Sequence, residues 1–133
     1  MDNSNIFKIW GIRRRILLTD TSEIDLLNVH KDCFCSTHYH KDKINKFILI
    51  SGEIRIESEY GYITLREGEE FEVRPTLKHR FIATEDSVMI EIAYTENCSI
   101  DANDIVRLSQ GGRIVDDKEM TLDQMNEKGL LEL

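Results

Sequence analysis

Proline and cysteine are nearly missing from this chain, and positive charge is outnumbered. The single proline, Pro75, stands just before His79. Its place in a turn fits the exclusion of proline from central strands. Three cysteines, Cys33, Cys35 and Cys98, are an odd and sparse set. They do not describe a secreted disulfide scaffold and read as reduced thiols. A formal net charge of −8 removes the attraction to phosphate on which non-specific binding to nucleic acid or an anionic membrane depends. No run approaches the roughly 18 to 20 apolar residues of a membrane span. The start, Met1-Asp2-Asn3-Ser4-Asn5, lacks the basic stretch and apolar core of a signal peptide, so a cytoplasmic protein is expected. At 133 residues, 41% of them hydrophobic and 32% charged, the chain has material for one domain with one core and a well-solvated surface.

What is present is alternation. Glu53-Ile54-Arg55-Ile56-Glu57 switches between charged and apolar at period two, the pattern of a half-buried strand. Lys46 to Ile50 ends at Ser51-Gly52, Tyr60-Gly61 reads as a hairpin turn, and Tyr62 to Leu65 runs into Arg66-Glu67-Gly68-Glu69. Phe71 to Val73, His79 to Ala83 and Val88 to Tyr94 follow, with Ile16 to Leu18 and Ile24 to Val29 upstream. Short strands at this spacing predict an all-β sandwich or barrel. Near the end, Thr121-Leu122-Asp123-Gln124 forms a capping-box pattern that predicts a short helix over about Leu122 to Lys128.

Three of the four histidines are arranged for chemistry. His38 and His40, spaced i and i+2, share one face of a strand because successive side chains alternate. His79 on a partner strand could complete a three-nitrogen metal site, a donor set that suits zinc, copper, nickel and iron. The fourth, His30, falls at a turn and reads as a surface residue. On one continuous strand Phe34, Ser36, His38 and His40 would share a face, placing Cys33 and Cys35 on the other. Asn45 has the parity of Phe47 and Leu49 and could face the metal. Phe81 and Ala83 share the face of His79, and Arg80 points away. Glu91 stands among apolar neighbours with Met89 and Ala93. Facing inward, it is the best remaining carboxylate for proton transfer or a water-held contact near a metal; facing outward, it is a solvated residue. Lys41-Asp42-Lys43 reads as a solvated turn. Trp10 reads as a core or interface anchor.

These residues also resemble a family. His38-x-His40-x4-Asn45-x6-Gly52 resembles the first cupin motif, and the stretch from Gly68 through Pro75 to His79 resembles the second. Ile9-Trp10-Gly11, Ser51-Gly52, His79-Arg80 and Asp104-Ile105-Val106-Arg107-Leu108 with Gly112-Arg113 are similar to the type II mannose-6-phosphate isomerase cupins, which also form the C-terminal domain of mannose-1-phosphate guanylyltransferases. The resemblance implies a cupin double-stranded β-helix, an antiparallel jelly-roll barrel. It would occupy residues 1–113, with a tail of 114–133 carrying the short helix for packing or dimer contact. It further implies a divalent transition metal (zinc, iron, manganese, nickel or copper) on His38, His40 and His79, a sugar or sugar-phosphate ligand, and a homodimer. Arg107 and Arg113 occupy family positions and either bind a phosphate or tie the tail to the barrel. Two positions depart from the pattern. Asn45 replaces the motif glutamate, and His38 stands where these isomerases commonly carry glutamine. Three functions follow: a sugar-phosphate isomerase-like enzyme with Glu91 as base and Asn45 and Arg107 on substrate, a non-enzymatic sugar- or metabolite-binding cupin, and a three-histidine iron or copper dioxygenase.

Overall fold

Period-two alternation becomes two antiparallel sheets in the computed structural model, which describes residues 5–131. The strands are β1 (Asn5–Lys8), β2 (Gly11–Leu18), β3 (Ser22–Val29), β4 (Cys33–Phe34), β5 (His38–Tyr39), β6 (Ile44–Ser51), β7 (Ile54–Ser58), β8 (Gly61–Leu65), β9 (Glu70–Val73), β10 (His79–Ala83), β11 (Ser87–Tyr94), β12 (Val106–Arg107), β13 (Gly112–Val115) and β14 (Lys118–Thr121). One sheet runs β1-β2-β3-β11-β6-β9. The other runs β12-β5-β10-β4-β13-β14, with β7 also paired to β10 and β8 to β7. This is the expected all-β cupin double-stranded β-helix, whose two sheets close around a common interior.

The inner faces meet in a core of Trp10, Leu27, Phe47, Leu49, Phe81 and Met89 among others. Trp10 sets its ring edge-on to Phe81 at 5.2 Å between centroids, so it anchors the core. Of the four isoleucines near the first turn, Ile54 and Ile56 are buried, but Ile48 is half-buried and Ile50 is 48% exposed. The turn between β6 and β7 requires Gly52. Its φ is +93°, and a Cβ there would lie 2.4 Å from the Asp86 carbonyl oxygen, a clash added to the strain of the left-handed conformation.

The tail is held by the same sheet. β13 pairs with β4 and β14 with β13. A short helix, α1 (Leu122–Glu127), follows, with the expected capping box between Thr121 and Gln124. Met125 is 1% exposed, and Phe34 and Ile82 are equally enclosed although both stand outside the main core. Arg80 lies over the Phe34 ring and pairs with Glu57 and Glu119, so it points away from the core as expected. No helix among the described residues is long and apolar enough to cross a membrane.

Candidate metal centre

Register brings the three histidines together. His79 of β10 lies opposite His38 of β5, and Pro75-Thr76 folds back so that the Thr76 N–H donates to the His40 carbonyl at 2.7 Å. One ring nitrogen from each of His38, His40 and His79 lies within 4.8 Å of the other two. Each ring is oriented by a carbonyl on its far side. His38 Nδ1 meets the Ser36 carbonyl at 2.8 Å, His40 Nδ1 the Asp104 carbonyl at 2.6 Å and His79 Nδ1 the Leu77 carbonyl at 2.9 Å. A carbonyl can only accept, so each Nδ1 donates and each Nε2 keeps its lone pair. The Nε2 atoms of His40 and His79 are buried without a partner. Burial, and then the nearness of the other two rings, lowers the His38 pKa to about 3. Burial lowers His79 to about 4 and His40 in the same direction. Three neutral imidazoles with converging lone pairs, two of them otherwise orphaned, fit a divalent transition metal.

Asp104 connects two parts of this arrangement. Its carbonyl orients His40, while its carboxylate accepts from the N–H groups of Lys41, Asp42 and Lys43 at 2.7 to 3.1 Å. It therefore fixes the turn that immediately follows His40. Asp104→Ala is expected to weaken metal binding by about tenfold, at the lower end of the range for partners that orient a ligand. Competition with a chromogenic chelator measures it, and unchanged affinity would remove Asp104 from that role.

Beside the histidines opens a cavity of about 520 Å³, within the usual range of small-molecule sites. Its wall differs from the expected arrangement in two places and decides a third that the sequence left open. First, Cys33 and Cys35 face the core, not the opposite side. β4 and β5 are separate short strands, and the irregular stretch between them switches the alternation, so cysteines and histidines both point inward. The metal group nonetheless contains histidines alone. Burial raises the Cys35 thiol to about 12, leaving it a protonated packing group. Second, Lys43 is no solvated turn residue: it is 6% exposed, lines the cavity and stands 3.7 Å from Glu23. Third, Glu91 faces inward. Asn45 Nδ2 donates to its Oε2 at 2.8 Å, and burial together with the Asp25 carboxylate raises its pKa to about 7.

Glu91 belongs to a charged row that the sequence reasoning missed. Opposite it on β3 is Asp25, and opposite Asp25 on β2 is Arg15, joined at 2.6 Å. Glu23, Arg13 and Lys43 extend the network. The available signal was parity: Glu23 and Asp25 alternate in step with Leu27 and Val29, which are buried. Arg107 also lines the cavity and is the register partner of His38. Arg113 is exposed on β13, paired with Cys33 and Met120. His30 is on the surface, as expected.

No family model matches the chain, and no curated protein matches it. Solved structures do. KdgF from Halomonas sp. aligns at 18% identity with a TM-score of 0.60, covering 65% of this chain and 79% of that one. An uncharacterized protein with a double-stranded β-helix domain from Klebsiella pneumoniae aligns at 16% identity and 0.62, covering 80% and 86%. Oxalate decarboxylase from Bacillus subtilis, as a tryptophan-to-tyrosine variant, aligns at 18% identity and 0.69. There the match covers 80% of this chain but spans only 30% of the decarboxylase. These likenesses establish the cupin fold; at such identity the chemistry rests on the site itself.

Proposed function

We propose that this metal-binding cupin acts on a sugar or sugar phosphate as an isomerase-like enzyme. The observation that carries the reading is the inward carboxylate Glu91, with a pKa of about 7, in the cavity that His38 and His40 also line. Aldose–ketose interconversion moves one proton between adjacent carbons and one between their oxygens, and consumes nothing else. A general base is most effective when its pKa lies near the working pH. Asn45 holds one Glu91 oxygen and leaves the other to take the carbon-bound proton and return it. A divalent metal on the histidines would polarise the carbonyl and hydroxyl oxygens of the open-chain sugar. Arg107, beside His38, is positioned for the substrate's polar end. The resemblance to mannose-6-phosphate isomerases in the stretch from Asp104 to Arg113 supports the same reading.

The test is interconversion of mannose 6-phosphate and fructose 6-phosphate by metal-loaded protein, with His38→Ala as control. Turnover above the control supports the assignment. Ligand-induced stabilisation without turnover would instead make the protein a binding cupin, as the neutral Asn45 at the motif's carboxylate position would suit. Oxygen consumption would make it a dioxygenase.

The dimer belongs to the same proposal. On the outer face of the six-stranded sheet, register sets Ile90 between Leu26 and Ile48, and Ile92 beside Ile24. A second copy would cover these side chains, burying apolar area that otherwise meets water. Light scattering should give about twice the 15.5 kDa of one chain, and Ile90→Lys should return the monomer. A monomeric parent protein refutes it.

A further inference from the structure

The chain carries a net charge of −8, yet cations outnumber carboxylates along the cavity wall. The carboxylates there are already engaged. Asp25 holds Arg15 at 2.6 Å with Arg13 at 3.8 Å. Glu23 lies 3.7 Å from both Arg15 and Lys43. Glu91 is held by Asn45. The remainder is positive. Among the described residues Lys8 and Arg107 have no ion-pair partner, and the Nε of Arg13 is buried without a hydrogen bond.

These three groups gather at one place although they come from distant parts of the chain. Arg107, on β12, is opposite His38 and reaches the cavity next to the histidines. Lys8 ends β1 and Arg13 lies on β2, paired with Leu27, whose side chain belongs to the core. All three line the same cavity; burial lowers the Lys8 pKa, repulsion from Arg13 and Arg107 lowers it further, and the Glu91 carboxylate opposes them. Like charges held together at a partly enclosed site are costly unless an anion joins them. Arginine supplies the fork that grips carboxylate or phosphate through two hydrogen bonds, and lysine adds a point charge.

We propose that Lys8, Arg13 and Arg107 form an anion subsite beside the histidines, which takes the carboxylate or phosphate of a small acid whose other end reaches the metal centre. This deepens the sugar-ligand reading by making the ligand acidic, and rests on that reading only for the ligand's neutral end. A 520 Å³ cavity has room for a monosaccharide acid spanning both regions.

The test uses the full chain, metal-loaded and chelator-treated, at fixed ionic strength. Thermal unfolding is followed with D-mannose, D-mannose 6-phosphate, D-mannuronate and inorganic phosphate. At least one acid should raise Tm at concentrations where mannose does not. A response to mannose 6-phosphate and inorganic phosphate assigns a phosphate ligand; a response to mannuronate assigns a carboxylate. Lys8→Met and Arg107→Gln should each weaken acid binding by about tenfold or more, the loss of one charge-assisted hydrogen bond, with metal content unchanged. Both side chains are at least partly exposed, so the variants should fold. Mannose binding as tightly as the acids, no response to any acid, or variants that bind acids like the parent would each overturn the subsite. The two readings fail separately: acid binding that persists in a protein unable to hold metal keeps the subsite and ends the metal assignment.

Discussion

His79→Ala should abolish stoichiometric metal binding. Protein purified without chelator and exposed to zinc should hold about one ion per chain by elemental analysis, and the variant should hold close to none. The effect should exceed the roughly 10–100-fold that loss of an orienting partner costs, because the variant removes a donor outright. His79 is 1% exposed, its Nε2 has no protein partner, and its ring stands 4.6 Å from that of His38. Metal that binds only the folded state should stabilise the parent by about 2.7 kcal/mol at a hundred times its Kd, and the variant by almost nothing. His30→Ala, on the surface, should behave as the parent. Retention of one ion per chain by His79→Ala would refute the site. Acid should empty it as well. Protonation of the histidines competes with metal, and with His38 and His79 lowered to about 3 and 4 in the folded protein the ion should stay through the ordinary imidazole range near 6.5 and leave only as pH falls toward about 4.

Glu91→Gln should separate chemistry from binding. If Glu91 moves the proton, kcat should fall by about 10²- to 10⁴-fold, with KM and metal content little changed, since glutamine keeps the shape and can still meet Asn45. Stability against pH supplies an independent reading. The Glu91 pKa rises from 4.5 to about 7 on folding, so between those values the folded state binds more protons than the unfolded. Stability from this group is full at low pH and is lost as pH rises through about 7. Its size is on the order of 3 kcal/mol. The histidines act oppositely. Their pKa values fall on folding, to about 3 and 4 for His38 and His79, so the unfolded state binds more protons below 6.5. Stability from them is lost as pH falls. Chemical denaturation of metal-free protein should therefore show Glu91→Gln more stable than the parent at pH 8 and level with it at pH 4.5. An equal difference at both pH values would show that Glu91 does not titrate as a buried acid.

The fold and the three histidines were legible because both depend on period-two geometry. His38 and His40 share a face by spacing, and the isoleucines of β7 alternate with charge over Ile54–Ser58. The charged interior was not legible for the same reason. Binary pattern assigns the apolar side of a strand to the core, yet β3 and β11 invert that rule along part of their length. Ile24, Leu26, Ile90 and Ile92 face out, while Glu23, Asp25 and Glu91 face in. A strand lining a ligand cavity need not follow the core rule, since its inner face solvates a guest. Lys43 was misplaced because a short mixed-charge run ordinarily means solvent, whereas here the strand β6 begins beside it and Glu23 receives it. The cysteine alternation failed between Phe34 and His38, where the backbone leaves the strand.

The grip of Asp104 on His40 also orders events in time. All three candidate ligands precede residue 80 in the chain, but the carbonyl that fixes the His40 ring and the carboxylate that ties down the following turn come later. During synthesis a nascent chain therefore exposes three imidazoles before it can hold them in geometry. Selective ion capture must await the arrival of the segment around Asp104. A chain released before that point would carry every donor atom and bind metals with little discrimination, as a loose peptide does.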